Sequence, residues 1–171
     1  MEKMWSPWRS VYIESFKDKK EDEKCVFCAA QKEDINDERS LKVFEGKTAF
    51  IVMNLYPYNN GHLMVVPRRH LSDYSDLTKE ERYEVADLID LAIRALREVS
   101  SPHGFNVGAN LGRAAGAGID QHMHFHIVPR WSGDTNFMPV LGEVKVISQE
   151  LLRTKKALIE VFDKLTASEN A

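Results

Sequence analysis

Three histidines occupy every second position of the segment QHMHFHIVPR, as His122, His124 and His126. Apolar residues separate them, which is the alternation typical of a half-buried β-strand. Because successive side chains of a strand point to opposite faces, the three imidazoles are expected to share one face. The intervening residues are expected on the other face, in a core beneath a helix: Met123, Phe125 and Ile127.

Such a row of imidazoles supports two kinds of chemistry. Neighbouring imidazoles can converge on one metal ion that keeps an open position for water. Alternatively, neutral imidazoles act on a phosphate, with one attacking phosphorus and the others donating hydrogen bonds to its oxygens. A metal hydrolase usually adds carboxylates, yet Asp120 is the only acid near the row, and the glycine-rich segment LGRAAGAG before it suits an anion. The pattern favours phosphate chemistry over a metal hydrolase or a row of incidental surface histidines.

The elements that must position these histidines follow from periodicity and turn signals. Thr78 and Glu81 form a capping box ahead of apolar residues at helical spacing, which predicts a helix of about six turns. A second helix is predicted at 154–165. Strands are predicted at 41–45, 48–54, 62–67, 105–110 and 121–128. The sum is an α+β fold, an antiparallel sheet of about five strands with helices on one face.

Composition limits the class of protein. The 171 residues suit one domain, and 43% hydrophobic with 29% charged residues is typical of a globular protein. The net charge of −3 provides no general attraction for nucleic acid, and no apolar run has the length of a membrane span. Because the first residues lack the apolar region of a secretory signal, we expect a cytoplasmic protein.

The two signature segments resemble those of the histidine triad (HIT) superfamily. QHMHFHIVP matches the H-φ-H-φ-H-φ-φ pattern, NNGHLMVVP resembles the other signature strand, and the resemblance runs from Trp5 to about Leu165. Further segments are similar to the fragile-histidine-triad branch, and most of all to its bacterial diadenosine tetraphosphate phosphorylases (ATP adenylyltransferases): WSPWRSVYI, NLYPYNNGHLMVVP, GFNVGANLGRAAGAG and PRWSGDTNF. The resemblance implies a single HIT domain over 1–171, with an N-terminal arm at 1–24, a core at 25–130 and a C-terminal extension containing a helix at 131–171.

The resemblance also implies roles for the histidines. His124 would be the nucleophile, its Nε2 attacking the α-phosphorus of a nucleotide to give a nucleotidyl-histidine intermediate. Its ring must then be neutral, with the other nitrogen held as a donor by a backbone carbonyl. His126 and His62 would donate hydrogen bonds to the phosphate oxygens and stabilise the charge that grows during transfer.

Substrate contacts are implied in the same way. Asn54 matches the family's ribose-binding asparagine, and Asn110 matches an amide on the polyphosphate side. The base pocket would include Phe50 and Ile51 of the first hairpin. Further contacts are expected beside the glycine-rich loop and the triad: Gly116, Gly118, Gln121 and His122. The family generally carries Ser or Thr where Gly118 stands, so either backbone N–H groups make that phosphate contact or the handling of the second substrate has changed. Arg113 would supply compensating charge for the distal phosphates, the alternative being a solvated loop arginine.

A C-x-x-C pair, Cys25 and Cys28, indicates half a metal site or a redox motif, because a structural disulfide does not suit a reducing compartment. Zinc-bearing bacterial relatives resemble this chain in a fuller set, which would be completed by His70 and His122. A structural zinc with four protein ligands is therefore expected, the alternative being reduced core cysteines with a surface His70. The resemblance also leaves room for a Mg²⁺ ion bound to the substrate's phosphates.

The expected function is cleavage of diadenosine polyphosphates at the α-phosphate, with water or phosphate as the acceptor. A metal-dependent phosphohydrolase and a nucleotide-binding signalling protein without turnover are the alternatives. The family resemblance implies a homodimer whose sheets continue across the interface, for which the apolar helix at 84–96 and the aromatic arm would be suitable contacts. His103, in the segment SPHG, is expected to be a turn residue.

Overall fold

A computed structural model of the chain describes residues 25–134 and 151–169. The aromatic arm within 1–24 and the last residues of the segment PRWSGDTNF lie outside these ranges. The contact predicted for the arm and the division of the chain into arm, core and extension therefore stay predictions.

Five strands form one antiparallel sheet, as the sequence predicts. They are β1 (Lys42–Glu45), β2 (Ala49–Met53), β3 (Leu63–Pro67), β4 (Gly104–Gly108) and β5 (Phe125–Arg130). Their order across the sheet is β1-β2-β3-β5-β4, so the two signature strands are central neighbours. The register places Met64 of β3 opposite His126 of β5, which brings the two histidine-bearing segments together.

The triad segment enters the sheet later than predicted. The strand predicted at 121–128 begins at Phe125, after His122 and His124. Gly108, the last residue of β4, pairs with His126, so the preceding residues of the triad segment have no partner on β4. The backbone of this preceding stretch is held instead by loop contacts, including the Met123 N–H to the Leu71 carbonyl at 2.7 Å.

Two long helices cover one face of the sheet. The first, α2, spans Lys79–Ser100 and begins with the predicted capping box, in which the Thr78 side chain and the Glu81 backbone and side chain bond reciprocally. The second, α3, spans Leu151–Glu169 and packs against α2 and β1. The apolar side of α2 is covered by its own sheet and by α3, so these residues are already used within one chain. The subunit contact considered for 84–96 stays a prediction.

A short helix, α1 (Val26–Lys32), lies on the opposite face of the sheet and was not predicted. It packs in a smaller apolar cluster with the outward-facing residues of the central strands: Phe50, Val52, Met64 and Val66. The sheet therefore separates two cores. Met123, Phe125 and Ile127 join the larger one beneath α2, which confirms the alternation predicted for the triad segment.

Within the described residues, neither long helix has an apolar stretch that would cross a lipid bilayer.

Candidate active site

The middle histidine of the row is held in one tautomer. His124 Nδ1 lies 2.9 Å from the backbone carbonyl oxygen of His122. A carbonyl only accepts hydrogen bonds, so Nδ1 carries the proton and donates it. In the neutral ring, Nε2 is then unprotonated and carries a lone pair, which is the state that a nucleophile requires. The backbone carbonyl expected from the sequence is therefore present.

The third histidine of the row, His126, is held by His62 in the tautomer opposite to that of His124, with its proton on Nε2. The backbone N–H of Tyr58 donates to His62 Nδ1 at 3.0 Å, so this nitrogen is unprotonated in the neutral ring. His62 Nε2 then carries the proton and donates it to His126 Nδ1 at 2.9 Å. In the neutral His126 ring the proton remains on Nε2. The rings of His124 and His126 lie 4.8 Å apart between centroids, so a lone pair and an N–H donor stand side by side.

A cavity of about 430 Å³ opens beside these two histidines. Its walls include His124 and His126, and from α1 it receives Val26 and Phe27. The Phe27 ring lies 4.8 Å from that of His124, so the same side chain borders the cavity and packs on the middle histidine. A mostly apolar cavity with a few polar groups is typical of a small-molecule site.

The polar lining of the cavity includes two of the predicted substrate residues. Asn54 lies at the end of β2, and its side-chain oxygen accepts from the Tyr56 N–H at 3.0 Å, while its Nδ2 lies 3.3 Å from His62 Nδ1. Asn110, which precedes the glycine-rich segment, and Gly118, its last residue, also line the cavity. These contacts leave the amide of Asn54 fixed in orientation next to the histidines.

The other predicted substrate contacts do not belong to the cavity wall. Gly116 has a left-handed backbone, φ +89°, which favours glycine. Gln121 is exposed, and His122 is fully buried. Arg113 donates to the Asp120 carboxylate at 2.6 Å, so this arginine forms an exposed ion pair across the base of the loop.

The two residues predicted for the base pocket do not line the cavity. Phe50 and Ile51 are fully buried, in the smaller and the larger core respectively, and neither reaches the cavity. The apolar wall comes instead from α1 and from the residues of β2 and β3 that face it: Val52 and Met64. The helical spacing of C-x-x-C, which places both cysteines on one side of a turn, is the signal that could have indicated α1.

The two cysteines and the two histidines predicted to bind zinc lie together at the N-terminal end of α1. Single ligand atoms of Cys25, Cys28, His70 and His122 lie within 4.8 Å of one another. Individual sulfur-to-nitrogen distances are 3.2 Å for Cys25 to His122, 3.3 Å for Cys28 to His70 and 3.5 Å for Cys28 to His122. These four side chains can hold a metal ion.

His122 joins this metal cluster to the triad. Its Nε2 donates to the Pro67 carbonyl at 2.8 Å, so in the neutral ring the Nδ1 lone pair faces the cysteines. Burial lowers the pKa of His122 to about 4, which keeps the ring neutral and able to bind a metal. The backbone carbonyl of the same residue orients His124. His103 lies elsewhere, in a turn where its Nδ1 accepts from the Ser132 N–H at 3.0 Å.

Comparisons with known proteins agree with this geometry. The HIT domain family matches residues 36–133. The chain is 44% identical over 161 residues to a protein of Mycobacterium tuberculosis named AP-4-A phosphorylase, and the match covers 92% of this chain and 83% of the mycobacterial protein.

Solved structures share the fold. A histidine triad nucleotide-binding protein of Sulfolobus tokodaii has a TM-score of 0.65 at 26% identity, covering 83% of this chain and 94% of that one. A Zn-bound histidine triad family protein of Mycobacterium smegmatis has a TM-score of 0.62 at 24% identity, covering 75% and 87%. With a family match over more than half its length and two histidines of the triad segment lining a cavity, the chain belongs to the HIT domain family.

Proposed function

We propose that this protein cleaves diadenosine polyphosphates, such as diadenosine tetraphosphate, at the α-phosphate through a nucleotidyl-His124 intermediate. The observation that carries this proposal is the pair of opposite tautomers at the cavity, a lone pair on His124 Nε2 beside an N–H donor on His126 Nε2. The 44% identity to an AP-4-A phosphorylase supports the choice of substrate.

In the first step, the His124 Nε2 lone pair attacks the α-phosphorus and a P–N bond forms. The P–O bond to the rest of the polyphosphate breaks, and the leaving oxygen takes the bonding electrons. His126 Nε2–H lies where it can donate to a phosphate oxygen or to the leaving oxygen, which stabilises the developing negative charge. In the second step the oxygen of water or inorganic phosphate attacks phosphorus, and the P–N bond breaks with its electrons returning to His124 Nε2. A proton that the acceptor loses passes to solvent, so neutral His124 is regenerated.

The cavity supplies the positioning that this transfer needs. Its apolar half, between α1 and the central strands, is suited to a purine base, and the Asn54 amide at its polar end is suited to the ribose hydroxyls. Asn110 and the backbone at Gly118 lie on the side where the polyphosphate would leave. A Mg²⁺ ion, where one takes part, would arrive bound to those phosphates.

A trapping experiment tests the intermediate. Brief incubation with substrate labelled at the α-phosphate should leave acid-labile, base-stable label on the wild-type protein and none on His124→Asn. His103→Asn is a matched control, because this histidine lies in an exposed turn outside the cavity. Turnover without any label on the wild-type protein would contradict the proposal.

The acceptor is resolved by the products. With diadenosine tetraphosphate, transfer to inorganic phosphate gives ADP and ATP, whereas transfer to water gives AMP and ATP. The name of the mycobacterial relative favours phosphate, while Gly118 lacks the hydroxyl of the family pattern. Product analysis with and without added phosphate distinguishes the two.

The metal cluster is proposed to hold zinc. Two thiolates and two imidazoles are a typical donor set for a structural zinc, and a tetrahedral ion with Zn–S of about 2.3 Å and Zn–N of about 2.0 Å places sulfur and nitrogen about 3.5 Å apart. The observed separations are 3.2 to 3.5 Å. When bound there, zinc supplies structural stability and no open position for a substrate. Cys25 and Cys28 would then hold α1 against the triad segment.

The metal-hydrolase alternative is disfavoured by the same geometry. His122 faces the cysteines, while His124 and His126 use their Nδ1 atoms for other hydrogen bonds. Within residues 25–134 and 151–169, the cluster that could hold a metal includes one triad histidine. A signalling protein without turnover predicts binding with no label on His124, so the trapping experiment addresses it as well.

A homodimer is also proposed, through β4 at the edge of the sheet. Asn106, Val107 and Gly108 are exposed, and in the described part of the chain no strand pairs with the outer side of β4. An exposed edge strand can pair with a second copy of itself.

A further inference from the structure

The segment PRWSGD, which follows the triad, forms a part-buried ion pair at the end of β5. Arg130 donates to the Asp134 carboxylate from Nε at 2.6 Å and from Nη2 at 2.8 Å. The Asp134 side chain is 9% exposed, and the guanidinium holds the pKa of Asp134 well below its ordinary value. The carboxylate therefore stays charged throughout the neutral range.

Asn59, from the turn between β2 and β3, completes this arrangement. Its Nδ2 donates to Asp134 Oδ2 at 2.8 Å and to the Pro129 carbonyl at 3.1 Å. Both acceptors belong to β5 or the residues after it. We call Asn59, Arg130 and Asp134 the turn anchor, because they attach the β2–β3 turn to the end of the triad strand.

The turn anchor is adjacent to the backbone that controls His62. The carbonyl of Asn59 accepts from the His62 backbone N–H at 3.2 Å, which closes a tight turn. Tyr58, the residue before Asn59, donates its N–H to His62 Nδ1. The ring of Tyr58 lies 4.7 Å from that of His62 and 5.5 Å from that of His126. A shift of this turn would therefore move the group that sets the tautomer of His62.

We propose that Asn59 and Asp134 are positioning residues for the reaction: they fix the turn that presents the Tyr58 N–H to His62, and so hold His126 with its proton on Nε2, facing phosphate. This inference rests on the proposed function. Neither Asn59 nor Asp134 lines the cavity, so their effect passes through the two histidines. The Arg130–Asp134 ion pair and the Asn59 amide thus stabilise, without touching the substrate, the orientation of the His126 Nε2–H donor.

The first test replaces the amide. Asn59→Ala should lower kcat by about 10- to 100-fold, the loss expected from misplacing a reacting group by an ångström or less. KM should stay at its wild-type value, because no contact to the nucleotide is lost. The ¹⁵N spectra of the histidine rings should change from single tautomers at His62 and His126 to mixtures, while His103 keeps its spectrum.

Asn106→Ala is the matched control. Asn106 also bonds the anchor, accepting from Arg130 Nη1 at 2.8 Å, but it is exposed and does not contact the β2–β3 turn. This variant should keep wild-type kcat and wild-type ring spectra. Equal kcat values for the two alanine variants, or wild-type ring spectra in a slowed Asn59→Ala protein, would overturn the inference.

A double-variant cycle tests the hydrogen bond itself and remains informative if Asn59→Ala fails to fold. Asn59→Asp places two carboxylates together and should lower kcat at least as much as Asn59→Ala. Adding Asp134→Asn exchanges donor and acceptor and should restore part of kcat. Equal kcat in the single and double variants would contradict the role of this bond. Because the ring spectra need no substrate, they test the anchor even if the trapping experiment finds no intermediate.

Discussion

His124 and His126 have the same ring nitrogen, Nε2, in opposite protonation states, and the cause is the partner of each Nδ1. The partner of His124 is a carbonyl that can only accept, and the partner of His126 is a ring that donates. Two identical side chains therefore become a nucleophile and a hydrogen-bond donor. The difference is fixed by the backbone, at Tyr58 and at His122.

Loss of the donor should slow the chemistry without preventing it. In His126→Asn, we expect kcat to fall by about 10²- to 10⁴-fold, the usual contribution of a positioned proton donor. Label should still accumulate on His124, but at a correspondingly lower rate in a rapid-quench experiment. His126→Asn protein that forms the labelled intermediate at the wild-type rate would show that the donor acts elsewhere.

A single carboxylate should make stability depend on pH in the acid range. Hydrogen bonds from Arg69 lower the pKa of the nearly buried Glu81 to about 2, from an ordinary value of 4.5. The stabilisation by Glu81 is therefore fully present above pH 4.5 and is lost as pH falls toward 2. Because Arg69 is half exposed, we discount this contribution to about 1 kcal/mol.

Urea unfolding at several pH values measures this effect. Between pH 5 and pH 3, wild-type protein should lose about 1 kcal/mol more stability than Glu81→Gln. Glu80→Gln, an exposed neighbour in the same helical turn, is the control and should follow the wild type. Parallel pH curves for wild type and Glu81→Gln would refute the prediction.

At the level of single residues, the sequence predicted what depends on local pattern. The alternation HMHFH was enough to separate the histidines from Met123, Phe125 and Ile127. It could not predict that Phe50 and Ile51 are too deeply buried to line the cavity, because both faces of a central strand are apolar. The tautomers were equally out of reach, since they depend on a turn far along the chain at Tyr58.

Among the elements, α1 has a larger role than its seven residues suggest. Cys25 is its N-cap residue and Cys28 lies in its first turn, while Phe27 borders the cavity. Its last turn is hydrogen-bonded to a lysine of β1. The buried Lys42 donates its Nζ to the carbonyl of Gln31 at 3.0 Å and pairs with Glu45 at 2.6 Å. The helix is thus attached to the sheet at both ends.

Removal of the hydrogen bond from Lys42 to the last turn of α1 should weaken both nucleotide binding and the stability of the fold. In Lys42→Met, the part-buried Gln31 carbonyl loses its donor, at a cost of about 1 kcal/mol in the free energy of unfolding. The nucleotide Kd should rise severalfold, because the cavity wall moves with α1. Lys47→Met is the control, since among the residues that the structure describes this exposed lysine contributes a backbone N–H and no side-chain hydrogen bond. Calorimetric titration that finds the same Kd in both variants would disprove the coupling.

The long elements were predictable and α1 was not, for reasons of length and capping. The helix α2 has a capping box and about six turns of apolar periodicity. By contrast, α1 has two turns, and its N-cap residue Cys25 makes no side-chain capping bond. The sequence also could not predict that β5 begins only at Phe125. The apolar alternation includes His122 and His124, but the hydrogen bonds between the strands do not extend to them.

At the scale of the whole molecule, the two edges of the sheet differ. The edge strand β1 packs against α3, with the rings of Phe44 and Phe162 5.4 Å apart. The edge at β4 presents the exposed Val107, and a glycine stands at each end of the strand. A flat exposed edge favours pairing with a second copy, and this pairing would extend the five-stranded sheet into a continuous one.

A charge on that edge should separate the subunits. Light scattering coupled to size exclusion should give twice the chain mass of 19.6 kDa for the wild type and a single chain for Val107→Lys, because a lysine on an edge strand opposes edge-to-edge pairing. Tyr83→Lys, which replaces a still more exposed large side chain on α2, should remain dimeric. A wild-type monomer, or a dimer that persists in Val107→Lys, would remove β4 as the interface. Since the cavity is complete within one chain along its described walls, the monomeric variant should still form the His124 intermediate.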